Sequence, residues 1–189
     1  MRYLTVIFLF VFNWCDAQQF ARPVSDITLG TWTDNSLGTT DIFLAIDEAS
    51  ASDADFVLNN NNTNDTYETG LSGISEPDAG TVTVRYRYSK SAANGNARNI
   101  QLFLYEGATL RSSGTLHTGI TETWTAGTWD LSGAEVSSIT NWGDLRLRVT
   151  ASGTTGGAAG NRRSVQCSWA ELQAPDAPAA AMRRRVIVN

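Results

Sequence analysis

Apolar and polar residues alternate along several short segments of this chain, and the alternation predicts β-strands. In residues 80–88, Val or Tyr occupies every second position and Thr or Arg the positions between. Residues 145–149 repeat the pattern with Leu and Val on one face and arginine on the other. In residues 165–169 it would place Cys167 and Trp169 in the core. A period of two is typical of a strand with one buried face, so the arginines are expected to point outward.

Other short segments, rich in apolar or β-branched residues and bounded by Gly, Asn, Asp and Ser, are also predicted strands. They are residues 27–32, 42–46, 56–58, 67–72, 100–105, 109–117 and 120–131. One helix is predicted over residues 132–139, because Ser132 can cap its start and Glu135 stands three residues later. Together these elements predict an all-β fold, a two-sheet β-sandwich of jelly-roll type with one short helix.

Residues 1–17 have the composition of a targeting segment. A positive charge at Arg2 precedes an apolar run over residues 4–12, and Cys15 and Ala17 are small residues that follow it. These are the parts of a cleaved secretory signal peptide, which is our prediction. A retained segment and a lipid anchor at Cys15 are the alternatives. The run is shorter than the roughly 20 residues of a membrane-spanning helix, so no stable membrane anchor is expected.

The composition changes again after Ala174. A Pro/Ala linker leads to three consecutive arginines and then to a short apolar stretch at residues 186–188. The sandwich domain is therefore expected over residues 18–175, and a basic tail over residues 176–189. Two interpretations of the tail remain open: a frayed terminus, or a segment that docks on a partner by adding a strand to its sheet edge. In the second case the docking residues would be Arg183, Arg184 and Arg185.

Composition and charge exclude several classes of protein. With 19 acidic and 14 basic residues and a pI of about 4.8, the chain is not expected to bind nucleic acid. A single histidine and two cysteines exclude a His-rich metal centre, a four-cysteine zinc site and a disulfide scaffold. The sequence has no P-loop, G-x-S-x-G or H-E-x-x-H motif, so no enzyme activity is predicted. We expect His117 to be an exposed or cross-strand residue and Cys167 a buried thiol.

Acidic residues are concentrated in the polar segment 47–65. Asp53 and Asp55 would share one face of an extended chain, with Asp47 nearby. Oxygen ligands gathered in loops suit Ca²⁺, so these three aspartates are candidate calcium ligands. The alternatives are a solvated acidic loop, or a glycosidase that uses two carboxylates as acid and nucleophile. No other cofactor is predicted.

Two tryptophans, Trp124 and Trp129, flank the dipeptide Ala126-Gly127. A two-residue turn at this dipeptide would form a hairpin with both indoles on one side. If exposed, the pair would be a stacking platform for sugar rings, and Trp124 and Trp129 are therefore candidate glycan-binding residues. If buried, the pair would belong to the core, where cross-strand aromatic pairs stabilise sheets.

Only one of the 14 basic residues is a lysine, and the outward arginines are candidate binding residues. Arg85 and Arg87 are predicted on one strand, and Arg146 and Arg148 on another. Neighbouring strands would align them as an arginine stripe that could contact a carboxylate, a phosphate or a protein surface. The alternative is that acidic residues such as Glu171 neutralise them.

Stretches spread over residues 20–186 carry a resemblance to a known group of proteins. They are residues 21–26 with Trp32, 45–55, 84–90, 131–135 with 144–148, 168–172, and the Pro/Ala linker before the arginine triplet. In these stretches the chain resembles uncharacterised virion structural proteins of tailed phages and gene-transfer-agent-like particles. The resemblance implies a jelly-roll particle component, such as a head decoration, spike or tail-associated protein.

Two functions follow as hypotheses. The first is a non-enzymatic structural component of a phage or virus-like particle, located in the virion. Its partners would be other virion proteins or further copies of itself in a homo-oligomer, with host surface glycans as a further contact. The alternative is a secreted carbohydrate-binding module, which the signal-like start, the tryptophans and the jelly-roll pattern favour.

Overall fold

The computed structural model describes residues 17–35, 40–60 and 63–177. The predicted signal segment, apart from Ala17, and the tail arginines Arg183, Arg184 and Arg185 lie outside the described residues. The described part contains one α-helix, several strands and two short 3₁₀ turns. In chain order the strands and the helix are β1 (Gln18–Ala21), β2 (Pro23–Thr28), β3 (Trp32–Asp34), β4 (Val57–Asn59), β5 (Asp65–Leu71), β6 (Thr83–Lys90), β7 (Arg98–Glu106), β8 (Thr109–Ser113), β9 (Thr125–Asp130), α1 (Gly133–Ser138), β10 (Leu145–Gly153) and β11 (Val165–Pro175).

The strands form two antiparallel sheets packed face to face. Sheet A has the order β3-β4-β11-β6-β9, and β1 pairs with the C-terminal part of β11. Sheet B has the order β2-β5-β10-β7-β8. The chain crosses between the sheets repeatedly, for example from β5 to β6 and from β6 to β7. This arrangement confirms the predicted all-β, two-sheet sandwich of jelly-roll type with one short helix.

The core lies between the sheets and follows the predicted alternation. Val84 and Tyr86 on β6, and Leu147 and Val149 on β10, are fully buried and belong to one hydrophobic cluster. The arginines between them remain on the outer faces. Burying a Val or Leu side chain stabilises a fold by roughly 1.5–3 kcal/mol, so the alternation itself favours the packing of the two sheets.

The long strand β11 contains a β-bulge that changes which residues face outward. Between Cys167 and Trp169 its register against β6 shifts, which leaves Ser168 as an extra residue. The core-facing residues are Cys167 before the bulge, and Ala170 and Leu172 after it. The prediction that Trp169 faces the core is therefore wrong, because the extra residue turns its indole to the outer face of sheet A.

Two of the predicted strands, residues 42–46 and residues 27–32, do not form as single strands. Ile42–Ala45, within the predicted strand 42–46, form a 3₁₀ turn instead. The Asp26 carboxylate accepts hydrogen bonds from the backbone N–H groups of Ile42 and Phe43 at its start, at 2.8 and 3.1 Å. Residues 27–32 are divided by a turn in which Gly30 has φ +56°, a left-handed conformation that favours glycine. The chain thus leaves β2 in sheet B and enters β3 in sheet A.

The predicted helix is confirmed as α1. The Ser132 Oγ accepts a hydrogen bond from the Glu135 N–H at 3.3 Å, and the Glu135 carboxylate accepts one from the Ser132 N–H at 2.7 Å. This capping box satisfies the free N–H groups at the helix start. None of the α1 residues is buried, so the helix connects β9 to β10 and adds little to the core. Within the described ranges, no helix is long and apolar enough to cross a membrane.

Candidate functional site

A cleft of about 510 Å³ opens on the outer face of sheet A. The side chains that line it include Phe20, Arg22, Arg85, Arg87, Trp169 and Glu171, and residues 49–51 form one side. In the sheet, Arg87 pairs with Trp169 and Arg85 with Glu171. These outward side chains therefore stand in fixed positions on two hydrogen-bonded strands.

The Trp169 indole reaches the cleft because of the bulge at Ser168. Its Nε1–H donates a hydrogen bond to the Glu48 carbonyl oxygen at 2.9 Å, which fixes the ring against the segment that precedes β4. The Arg85 guanidinium lies over the indole, 5.5 Å from the ring centroid. Only 8% of Trp169 is exposed, so most of the indole packs against neighbouring residues of the cleft and little of it faces solvent.

Glu171 is a buried carboxylate at the cleft surface, with 2% of its side chain exposed. Arg22 Nη2 lies 3.0 Å from Glu171 Oε2, and Arg85 Nη1 lies 3.5 Å from Oε1. A buried carboxylate is costly unless it is paired, so both arginines are held close to it. The alternative prediction, that Glu171 neutralises outward arginines, is confirmed for Arg85.

The side of the cleft formed by residues 47–55, which we call the wall segment, is joined to sheet A by an ion pair. Arg87 donates from Nε and Nη2 to the two Asp53 carboxylate oxygens at 2.6 and 2.7 Å. Ser168 Oγ lies 3.1 Å from the same carboxylate. The Arg87 hydrogen bonds lower the pKa of Asp53 and keep it ionised. Ser168 at the bulge and Arg87 on β6 thus hold the wall segment in place.

The three predicted calcium ligands are not arranged as one metal site. The Asp53 carboxylate is engaged by Arg87, and no group of three His, Cys, Asp or Glu side chains in residues 17–35, 40–60 and 63–177 could hold a metal ion. Asp55 instead interacts with Glu48 and Asp47. Burial, followed by the charge of Asp55, raises the pKa of Glu48 to about 7. The pKa of Asp47 is also raised, mainly by burial.

The predicted tryptophan hairpin does not form. Residues 125–130 are one continuous strand, β9, because Gly127 lies directly against the Tyr86 ring where a turn was expected. Trp129 is buried in the core, and its Nε1–H donates to Ser112 Oγ at 3.0 Å. Trp124 packs against Phe56 with ring centroids 5.5 Å apart. The alternative, a core role, is confirmed for Trp129.

The predicted arginine stripe is wrong, because its two halves lie on different sheets. Arg85 and Arg87 are on β6 in sheet A, whereas Arg146 and Arg148 are on β10 in sheet B. Arg146 and Arg148 share the buried Glu68 carboxylate. Arg146 Nη1 lies 3.5 Å from Oε1, and Arg148 Nη2 lies 2.6 Å from Oε2. The prediction that these arginines point outward is correct. Which strands are neighbours in a sheet depends on long-range pairing, and the alternation of apolar and polar residues does not specify that pairing.

The histidine and the cysteine have structural positions. His117 pairs across the sheet with Ile100, and its Nε2 lies 2.7 Å from the Tyr86 hydroxyl. Burial lowers the pKa of His117, which favours the neutral ring. Cys167 is fully buried, and burial raises the pKa of its thiol to about 12. Both agree with the predictions of a cross-strand histidine and a buried thiol.

Sequence reasoning missed the importance of Trp169, Glu171, Arg22 and Phe20 in the cleft. A signal for Trp169 and Glu171 was present. The apolar positions run through Val165 and Cys167 and then through Ala170, Leu172 and Ala174, so their phase changes by one residue. Such a phase change indicates a bulge. No comparable pattern marks Phe20 and Arg22, which reach the cleft through the pairing of β1 with β11.

No protein-family model and no curated protein matches the sequence. Among solved structures, the chain is similar to a xylan-binding module, CBM15, with 14% identity and a TM-score of 0.46, over 83% of this chain and 99% of that one. A CBM35 from Paenibacillus barcinonensis has 20% identity and a TM-score of 0.40, over 80% of this chain and 97% of that one. A CBM36 in complex with calcium and xylotriose has 13% identity and a TM-score of 0.37, over 82% of this chain and 97% of that one. At these identities the likeness is one of fold alone.

Proposed function

We propose that this chain is a non-catalytic carbohydrate-binding module that binds a saccharide in the cleft on sheet A. The observation that supports the proposal is the combination, in one open cleft, of an exposed aromatic ring with arginine donors that a buried carboxylate holds in place. Clefts with a few fixed polar groups among apolar side chains are the common form of small-ligand sites.

The chemistry of the cleft matches that of a sugar ring. Phe20 is 37% exposed and offers an apolar surface for the C–H face of a ring. Arg22 and Arg85 line the cleft and offer hydrogen-bond donors for hydroxyl groups. Because strand pairing and ion pairs already fix these groups, binding a saccharide would cost little side-chain entropy.

The proposal is tested by measuring binding to a panel of soluble polysaccharides by calorimetry and affinity electrophoresis. We expect Phe20→Ala to weaken binding of the preferred polysaccharide about tenfold, a loss of roughly 1.4 kcal/mol, because the stacking surface is removed. Leu110→Ala is the matched control, since Leu110 is a 48% exposed apolar residue on β8 of the other sheet. Binding should be the same with added calcium and with chelator.

Two results would contradict the proposal. One is that the folded protein binds no polysaccharide of the panel. The other is that Phe20→Ala and Leu110→Ala both bind like the unchanged protein. A loss of binding in chelator alone would instead support the calcium hypothesis for Asp47, Asp53 and Asp55.

The virion role stays a prediction from the sequence resemblance. The aligned arginine stripe that also favoured it does not form, since those arginines are paired with carboxylates on two different sheets. Mass spectrometry of purified particles would detect the chain if it were a virion component. Secretion through residues 1–17 is likewise a prediction, which the N-terminal sequence of native protein would test.

A further inference from the structure

The arginines of the cleft outnumber the carboxylates that pair with them. Three guanidinium groups line it, from Arg22, Arg85 and Arg87, whereas Glu171 gives the one carboxylate among its described lining residues. Asp53 pairs with Arg87 from the wall segment, and Glu171 is shared between Arg22 and Arg85. Among these contacts, two carboxylates therefore serve three guanidinium groups, and Arg85 shares its carboxylate partner with Arg22.

Arg85 has donors that no described residue uses. Its side chain is 46% exposed, and its contacts with Gln173 Oε1, at 3.1 Å, and with Glu171 Oε1, at 3.5 Å, both use Nη1. Within the described part of the chain, Nη2 and Nε have no hydrogen-bond acceptor. The Trp169 indole beneath the guanidinium favours one orientation of its plane. The free edge of Arg85 is therefore held in position at the cleft.

Two other outward arginines, Arg87 and Arg148, differ from Arg85 because their Nε–H groups donate to carboxylates of the protein. Arg87 uses Nε and Nη2 for the two oxygens of Asp53. Arg148 donates from Nε to Glu68 at 2.8 Å and from Nη1 to the Tyr105 hydroxyl at 2.7 Å, with its guanidinium 3.9 Å from the Tyr105 ring centroid. Arg87 and Arg148 thus each use Nε and a second donor nitrogen within the protein, whereas Nε and Nη2 of Arg85 have no acceptor among the described residues.

We infer that the saccharide bound in this cleft is acidic, and that Arg85 determines this specificity by pairing with a uronic acid carboxylate. The inference rests on the proposed saccharide-binding function and names its ligand class. A planar carboxylate accepts two parallel hydrogen bonds from one edge of a guanidinium, and lysine cannot make this contact. The ligand carboxylate would also give Arg85 a partner that it does not share with Arg22.

The test compares acidic polysaccharides with their own uncharged derivatives. The probes are polygalacturonate, alginate and a glucuronate-substituted xylan, each beside its carboxyl-reduced form. The unchanged protein should bind at least one acidic polymer about tenfold or more tightly than the reduced form of that polymer. Arg85→Lys and Arg85→Gln should both abolish this preference, because both lose the forked donor edge. Arg148→Gln on sheet B is the matched control and should keep it.

The outcomes separate this inference from the proposed function. If the protein binds acidic and reduced polymers equally and Phe20→Ala weakens both, the saccharide-binding function stands and the inference is overturned. If Arg85→Lys keeps the full preference, a general charge effect replaces the specific contact, and the inference is again overturned. If no polymer binds in either form, the proposed function and the inference both fail. Thermal unfolding of each variant establishes that it is folded.

Discussion

At the residue scale, two buried carboxylates organise the outer faces of the sandwich. Glu171 in sheet A and Glu68 in sheet B are 2% and 4% exposed, and each pairs with two arginines. A buried carboxylate needs several donors to offset its lost hydration, and the arginine fork supplies them from a fixed plane. This geometry accounts for arginine at these outward positions, where a lysine would give a single point charge.

Glu48 gives a pH-dependent contribution to stability that can be tested by Glu48→Gln. Burial raises the pKa of Glu48 from 4.5 in the unfolded chain to about 7 in the fold. Between these values the folded state binds more protons than the unfolded state, so the free energy of unfolding falls as pH rises from about 4.5 to 7. Glu48→Gln removes this proton and should gain stability relative to the unchanged protein when pH is raised from 5 to 8.

The measurement is chemical denaturation of both proteins at pH 5 and pH 8. Glu122→Gln, at an exposed glutamate outside this acidic group, controls for the general effect of removing one negative charge. Equal stability differences between Glu48→Gln and the unchanged protein at the two pH values would contradict a raised pKa. The result bears on the cleft, because the Glu48 carbonyl holds the Trp169 indole.

At the element scale, β9 shows why a turn signal in the sequence can be misleading. A two-residue turn was predicted at Ala126-Gly127 on the strength of the glycine, yet Gly127 lies inside a strand. A Cβ at position 127 would be 2.4 Å from Tyr86 Cζ, so the position requires glycine for close approach to a ring on the neighbouring strand. Which ring would lie there depends on the pairing of β6 with β9 and is not visible locally.

Gly127→Ala is therefore expected to destabilise the fold by about 1–3 kcal/mol through overpacking. The Tyr86 ring cannot move away freely, because it is fully buried and its hydroxyl is bound to His117 at 2.7 Å. Gly133→Ala at the start of α1 is the control: a Cβ there meets no atom within 4 Å, and stability should be unchanged or slightly higher. Urea denaturation measures both variants. A Gly127→Ala protein as stable as the unchanged one would show that the ring yields.

At the scale of the whole molecule, the sequence predicts the sandwich well and the cleft poorly, for one physical reason. Alternation reports which face of a strand is buried, and this was correct for β6 and β10. It does not report which strands are neighbours, so Arg85 and Arg146 were expected on one face. The cleft depends on the pairing of β11 with β6 and β1, and on one extra residue, Ser168.

The same pairing brings the two ends of the described chain together. Gln18 pairs with Pro175, and the Asp176 N–H donates to the Ala17 carbonyl at 3.0 Å. Because Phe20 and Glu171 of the cleft lie on these two strands, the cleft depends on this closure. The domain bounds of 18–175 stay a prediction from the sequence.

A variant restricted to residues 17–177 is therefore expected to keep both the fold and the saccharide affinity. We expect its free energy of unfolding to lie within about 0.5 kcal/mol of that of the full chain, because the variant keeps both sheets and the pairing of β1 with β11. Calorimetry against one polysaccharide probe measures the affinity, and light scattering compares the oligomeric state of the two proteins. A loss of assembly in the variant would support the predicted docking by Arg183, Arg184 and Arg185. A loss of folding or binding would instead show that the terminal segments belong to the domain, and that closure by β1 and β11 is insufficient.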